Sequence, residues 1–362
     1  MKLHRHCHAL TAVTAALLAG AAGAQTANVS LFGLIDTNLQ RYSASGAASL
    51  TRMGTDGLSS SRWGIRGTES LGDGMSASFW LEGQFNTDNG TGLATNTNNQ
   101  TNGGAIAGIG GGQGFTFGRR STVSVHAPWG EIRMGRDFTS HYLNRSMADV
   151  FAVVGVGASQ PHVGTLGGTV ATRASNMIGY YLPASAGPFY GQAQMYYGEN
   201  NTGAANSSDG KGYSVRLGYN KGPVNVSIAQ GNTKYAAGNI KSTSVAALYD
   251  AGVVRLFSAY LRDANAAPAN FTGKGYTLGA IAPLGAHELK LSLSKYGSNA
   301  GLQPETKKTA FGYVHNLSKR TALYATYARV TNSGGATTAL NGSVTAANSS
   351  SSGYDLGIRH NF

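Results

Sequence analysis

The residues able to do chemistry in this chain are arginines set in segments that alternate polar and apolar side chains. Arg62 and Arg66 share a parity with Gly64, while Trp63 and Ile65 share the other. Glu82 stands with Ser78, Trp80 and Gln84, opposite Ala77, Phe79 and Leu81. Arg120 goes with Thr122 and Ser124, against Phe117, Val123 and Val125; this leaves Arg119 on the apolar parity unless a strand end or bulge turns it. Arg173 goes with Ser175, opposite Ile178 and Tyr180. Arg133 and Arg136 flank Gly135 on opposite parities, and Arg133 fits the polar face better; Arg136, beside Asp137, suits a bracing role. Arg216, Arg255 and Lys290 extend the polar-face series. Such a set makes and breaks no bonds. On the wall of a water-filled passage, arginines favour anions.

Other chemistries find little support. Residues 108–114, Gly-Ile-Gly-Gly-Gly-Gln-Gly, lack the lysine and hydroxyl of a phosphate loop. His126, His141, His162, His287, His315 and His360 are scattered without metal-ligand spacing. No serine sits in a nucleophile elbow, so the chain reads as neither enzyme nor cofactor protein.

The elements that must hold these arginines are strands. Successive side chains of a strand point to opposite faces, so residues 61–85 read as a hairpin with one apolar and one charged face. The pattern repeats from Asn28 to Phe362 as sixteen segments of about 9–12 residues, long enough to cross a bilayer when tilted. A polar loop is expected over about 41–60, a Gly/Asn/Thr-rich loop over 87–114 and a long insertion over 139–171. Seven tight connections alternate with longer ones, as an even-stranded up-and-down barrel requires. Closure removes every edge strand, which lipid demands. The expected fold is all-β: a transmembrane antiparallel barrel whose apolar face meets lipid and whose charged face lines water.

The ends and the composition agree. Residues 1–24 combine Lys2 and Arg5 with a short apolar run and Ala22-Gly23-Ala24, the pattern of a secretory leader, with the barrel occupying 25–362. The one cysteine, Cys7, lies in the leader, so the exported chain offers no disulfide. Mean hydropathy is −0.17, as expected where alternating faces cancel. Of 28 basic residues two fall in the leader, leaving 26 against 16 acidic ones and a net charge of +10. Without a Lys/Arg run in an exported chain, this positive balance suits a water-filled lumen better than nucleic acid.

The segments VSLFGLID, SRWGIRGTESLGDGMSASFWLE, FGRRSTVS, GEIRMGRD, LSKRTALYATYARV and GYDLGIRHNF resemble the trimeric general porins of the Gram-negative outer membrane. They are most similar to the anion-selective branch with an arginine-rich eyelet. The resemblance implies sixteen strands, a homotrimer in outer-membrane lipid and lipopolysaccharide, and a third loop folded back into the lumen. The 139–171 insertion suits that role, because its apolar run at 150–156 would otherwise be exposed. By resemblance the eyelet arginines fall on Arg62, one of Arg119 and Arg120, and Arg173, with Glu82 as the neighbouring acid and Asp149 as a loop acid. Phe362 would be the signal read by the outer-membrane assembly machinery. The implied function is passive diffusion of small hydrophilic solutes with anion preference. A porin specific for an organic acid or phosphate, and a surface binding or adhesin barrel, remain as alternatives.

Overall fold

The computed structural model describes residues 28–92, 95–100, 116–163, 166, 170–266, 270–340 and 343–362. The leader and the 108–114 glycine run lie outside the described residues. Seventeen strand segments follow one another around a closed antiparallel sheet: β1 (Asn28–Ala44), β2 (Leu50–Thr55), β3 (Arg62–Gly72), β4 (Met75–Gln84), β5 (Arg120–Ala127), β6 (Gly130–Phe138), β7 (Arg173–Tyr181), β8 (Phe189–Tyr196), β9 (Gly212–Lys221), β10 (Val224–Thr233), β11 (Ile240–Asp250), β12 (Arg255–Asn265), β13 (Phe271–Leu284), β14 (His287–Ser298), β15 (Glu305–Asn316), β16 (Thr321–Ser333) and β17 (Ser350–Asn361). Two short helices, α1 (Ser140–Ser146) and α2 (Gln160–Val163), lie between β6 and β7.

The seventeen segments make sixteen staves. Along one edge β1 pairs with β2 through Thr37↔Thr55 to Tyr42↔Leu50, and with β3 through Asn28↔Thr68 to Leu34↔Arg62. Thus β2 and β3 are one stave interrupted by residues 56–61. The expected polar loop over 41–60 is corrected here: β1 continues to Ala44 and β2 begins at Leu50, leaving only residues 45–49 between them. Arg41, Ser43, Thr51 and Arg52 disguise this stretch, because a wall with water on its outer side needs no apolar parity.

The barrel shuts where β1 meets β17, from Leu34↔Asn361 to Ala44↔Ser351. The Gly33 and Phe362 backbones then exchange both hydrogen bonds, at 3.1 and 2.9 Å. Outside, Leu31, Ile35, Leu39, Val123, Leu217, Ile228, Leu278, Phe311 and Leu356 are exposed. On the opposite parity Asp36, Asn38, Gln40, Ser124, Ser214, Ser244, Thr277 and Asp355 are buried. An apolar exterior around a polar interior is the inverse of a soluble fold and the arrangement lipid requires.

The interior is packed chiefly by the described residues between β6 and β7. Val150, Phe151 and Val156 form a buried apolar cluster with Phe257, Ile281, Ala310, Ala328 and Val330 of the wall. Gly279 and Gly312 make room for them: a Cβ at either would fall 2.6 Å from Val150 or Phe151. Polar ties complete the fit. Asp355 accepts the Val156 N–H at 2.8 Å and the Tyr42 hydroxyl at 2.8 Å, and Lys308 donates to the Ala158 carbonyl at 2.7 Å. At the other end Ser140 donates to the Gln194 side chain and Asn144 to Ser244.

Candidate functional site

Antiparallel pairing of β3 with β4 sets Arg62 against Gln84, and pairing of β4 with β5 sets Glu82 against Arg120. The Glu82 carboxylate gathers the group. It accepts from Arg119 Nε and, at 3.0 Å, from Trp80 Nε1, and Arg62 Nε lies 3.6 Å away. Arg119 also donates to Gln84 Oε1 at 2.8 Å, and Arg62 to the Ser60 carbonyl at 3.3 Å. Both members of the Arg119–Arg120 pair therefore turn inward. Arg119 precedes the first residue of β5, where strict alternation no longer binds it. Arg120 takes the parity of Thr122, to which it donates at 3.0 Å, and lies 4.6 Å over the Trp80 ring.

Arg173, at the start of β7, lies 4.0 Å over the Phe138 ring and donates to the Arg119 carbonyl at 2.9 Å. Arg62, Arg119 and Arg173 face one cavity of about 650 Å³ between the wall and residues 139–171. Its lining also includes Asp56, Gln84, Tyr142, Arg145 and residues 152–155. Sequence reasoning missed two of the charged groups. Asp56 sits in the break between β2 and β3, where it accepts from the Ser61 N–H and from Gln84. Arg145 is on α1, where strand parity says nothing; it donates to the Ala171 carbonyl at 2.7 Å. One turn earlier, burial pushes the His141 imidazole down to about 3, so it stays neutral and adds no charge to the lumen.

The remaining sequence-selected residues stand apart. Arg66 lies toward the tight-turn end, 5.1 Å from the Phe32 ring and 4.9 Å from Trp80. Arg133 packs 4.0 Å over Tyr181 and pairs with Glu131 at 2.8 Å and Asp137 at 2.6 Å. Asp137 lies 3.5 Å from Arg120 as well, so a charge chain runs from Arg120 to Glu131. Arg136 donates to the carbonyls of Gly118 and Asn96 and to Ser175, which braces the segment after β4. The two oxygens of Asp149 accept the N–H groups of Phe151 and Ser159, each at 2.8 Å. Arg216 hydrogen-bonds Asn144, while Arg255 and Lys290 each lie 3.9 Å from Glu288. The Phe362 ring rests against Gly33, where a Cβ would come within 2.4 Å of it.

A second anchoring set escaped the sequence altogether. The Asp36 carboxylate accepts the N–H groups of Gly57, Leu58 and Ser59 at 3.2, 2.8 and 2.7 Å, together with the Tyr324 hydroxyl. These bonds fix residues 56–61, and with them Asp56, at the rim of the cavity.

Comparison with known proteins follows the same lines. The Gram-negative porin family matches residues 9–335. Outer membrane porin protein 32 of Delftia acidovorans is 34% identical over 375 residues, covering 98% of this chain and 99% of that protein. An outer membrane porin protein of Bordetella pertussis is 29% identical over 381 residues, covering 87% of this chain and 92% of that protein. Among solved structures, an anion-selective porin from Comamonas acidovorans superposes with a TM-score of 0.80 at 32% identity, covering 93% of this chain and all of that one.

Proposed function

The chain belongs to the Gram-negative porin family, and on that premise we propose that it is an anion-preferring diffusion channel whose selectivity lies in the arginine-lined cavity. It is an outer-membrane porin, a channel and not an enzyme. The observation that carries the anion preference is the shared cavity of Arg62, Arg119, Arg145 and Arg173. With Asp56 at the rim and Glu82 behind, four guanidiniums stand against two carboxylates. An anion that sheds part of its hydration there meets fixed N–H donors and a positive field; a cation meets repulsion.

In this reading residues 139–171 are the constriction loop. Its apolar ridge and hydrogen bonds to the wall hold it across the lumen, and α1 presents Arg145 from the loop side. Glu82 sets the orientation of Arg62 and Arg119, while Arg66, Arg120 and Arg133 continue the positive surface along the wall. Asp149 shapes the loop tip rather than the field. The solutes are small inorganic anions and organic acids. The mature protein, freed of residues 1–24, works as a homotrimer in lipid and lipopolysaccharide, and the assembly machinery reads Phe362. The test is the zero-current potential of the purified protein in a planar bilayer under a KCl gradient. The sign expected is that of chloride preference; the opposite sign would move selectivity to the acids.

A further inference from the structure

His287 and His315 are 28 residues apart in the chain, and no spacing rule connects them. The pairing of β14 with β15 sets them directly opposite each other, two residues from the Leu289↔Tyr313 pair. Their rings stack with centroids 4.6 Å apart at 18°. The two Nδ1 atoms lie 3.1 Å apart, and the Tyr313 hydroxyl lies 2.6 Å from His287 Nδ1. Three polar atoms thus converge from two strands at the tight-turn rim, on the outward side of the wall and away from the arginine-lined cavity.

We propose that His287 and His315 form a chelating site for a divalent transition-metal ion of the kind imidazole prefers, Cu²⁺, Ni²⁺ or Zn²⁺. The donor separation is the reason. Two metal–nitrogen bonds of about 2.0–2.1 Å span 3.1 Å when the angle between them is about 98°, between octahedral and tetrahedral values. In the stacked arrangement the Nδ1 lone pairs lie in two nearly parallel ring planes, so each imidazole turns about its Cβ–Cγ bond to aim its lone pair at a shared ion. The sheet fixes both backbones, so little ordering is needed on binding. Tyr313 supplies a phenolic oxygen beside the pair, and water fills the other positions. Among the described residues no group of three or more His, Cys, Asp or Glu converges, so this is a two-imidazole site with an open coordination sphere.

The test is electron paramagnetic resonance of the purified full-length channel in detergent with substoichiometric CuCl₂. The expected spectrum carries the splitting of two nitrogen ligands. His287→Ala and His315→Ala should each lose that pattern and weaken Cu²⁺ binding at least about tenfold, since even losing a ligand's outer partner costs about 10–100-fold. His126→Ala and His360→Ala should leave both unchanged. KCl conductance should persist in all four, and a variant that fails to conduct is replaced by the corresponding His→Gln. A wild-type spectrum without paired nitrogen splitting, or one that survives His287→Ala in a conducting channel, would overturn the site.

Discussion

Replacing Arg173 by Gln removes one positive charge from the cavity without stripping a carboxylate of its partner, because Glu82 is held by Arg119 and Arg62. The magnitude follows from geometry. A cavity of about 650 Å³ has a radius of about 5 Å, which places an ion at its centre about 7 Å from the lining guanidinium nitrogens. At the dielectric constant of water, one unit charge acts on that ion with about 0.6 kcal/mol. Losing the charge disfavours the anion and relieves the cation by that amount, so the anion-to-cation ratio moves by about 1.2 kcal/mol, or about sevenfold. A Debye length of about 8 Å at 0.15 M salt reduces this to about twofold. The assay is the zero-current potential in a planar bilayer at low and at physiological KCl. Chloride preference should fall by about twofold to sevenfold, most at low salt, yet keep its sign. A ratio that does not move at low salt would refute the placement of Arg173 at the selective point.

Other perturbations probe the supports of the cavity. Phe151→Ala should remove about 3–5 kcal/mol of packing under the loop tip, raising single-channel conductance and current noise with weaker chloride preference. Gly312→Leu should produce the same phenotype from the wall side, since its side chain meets the Phe151 ring; unchanged conductance in both would mean that residues 139–171 do not set the bore. Asp355→Asn keeps an oxygen for the Val156 N–H yet weakens the charge-assisted bond, so it should add gating noise while leaving the reversal potential within about twofold. Gly33→Val forces a side chain into Phe362 and the Arg62 carbonyl where the barrel closes, and the yield of folded protein in the outer membrane should drop sharply.

The parts legible in the sequence are those governed by the two-residue period. Trp63 and Ile65 announce that Arg62 and Arg66 point inward, and Val123 and Val125 do the same for Arg120, because lipid enforces apolar parity wherever it touches the wall. The signal fades where lipid does. Arg41, Ser43, Thr51 and Arg52 leave β2 and the last residues of β1 without a continuous apolar stripe. Arg119 precedes the first residue of β5 and follows Glu82 instead of parity. Arg145 lies on a helix whose placement depends on Val150, Phe151 and Val156 finding pockets over Gly279 and Gly312, contacts far away in the chain. Asp36 and Asp355 hold backbone N–H groups of Gly57, Leu58, Ser59 and Val156, contacts that strand parity does not signal. His287 and His315 show the same limit: only the β14–β15 register makes them neighbours.

The claim that wall arginines set selectivity is tested most directly by neutralising Arg62, Arg119 and Arg173 together with Gln. The cavity would then keep Arg145 against Asp56 and Glu82, so its net charge would pass from positive to negative. The zero-current potential under a KCl gradient should reverse sign, from chloride to potassium preference, in a channel that still conducts. A triple variant that conducts and keeps its chloride preference would contradict it.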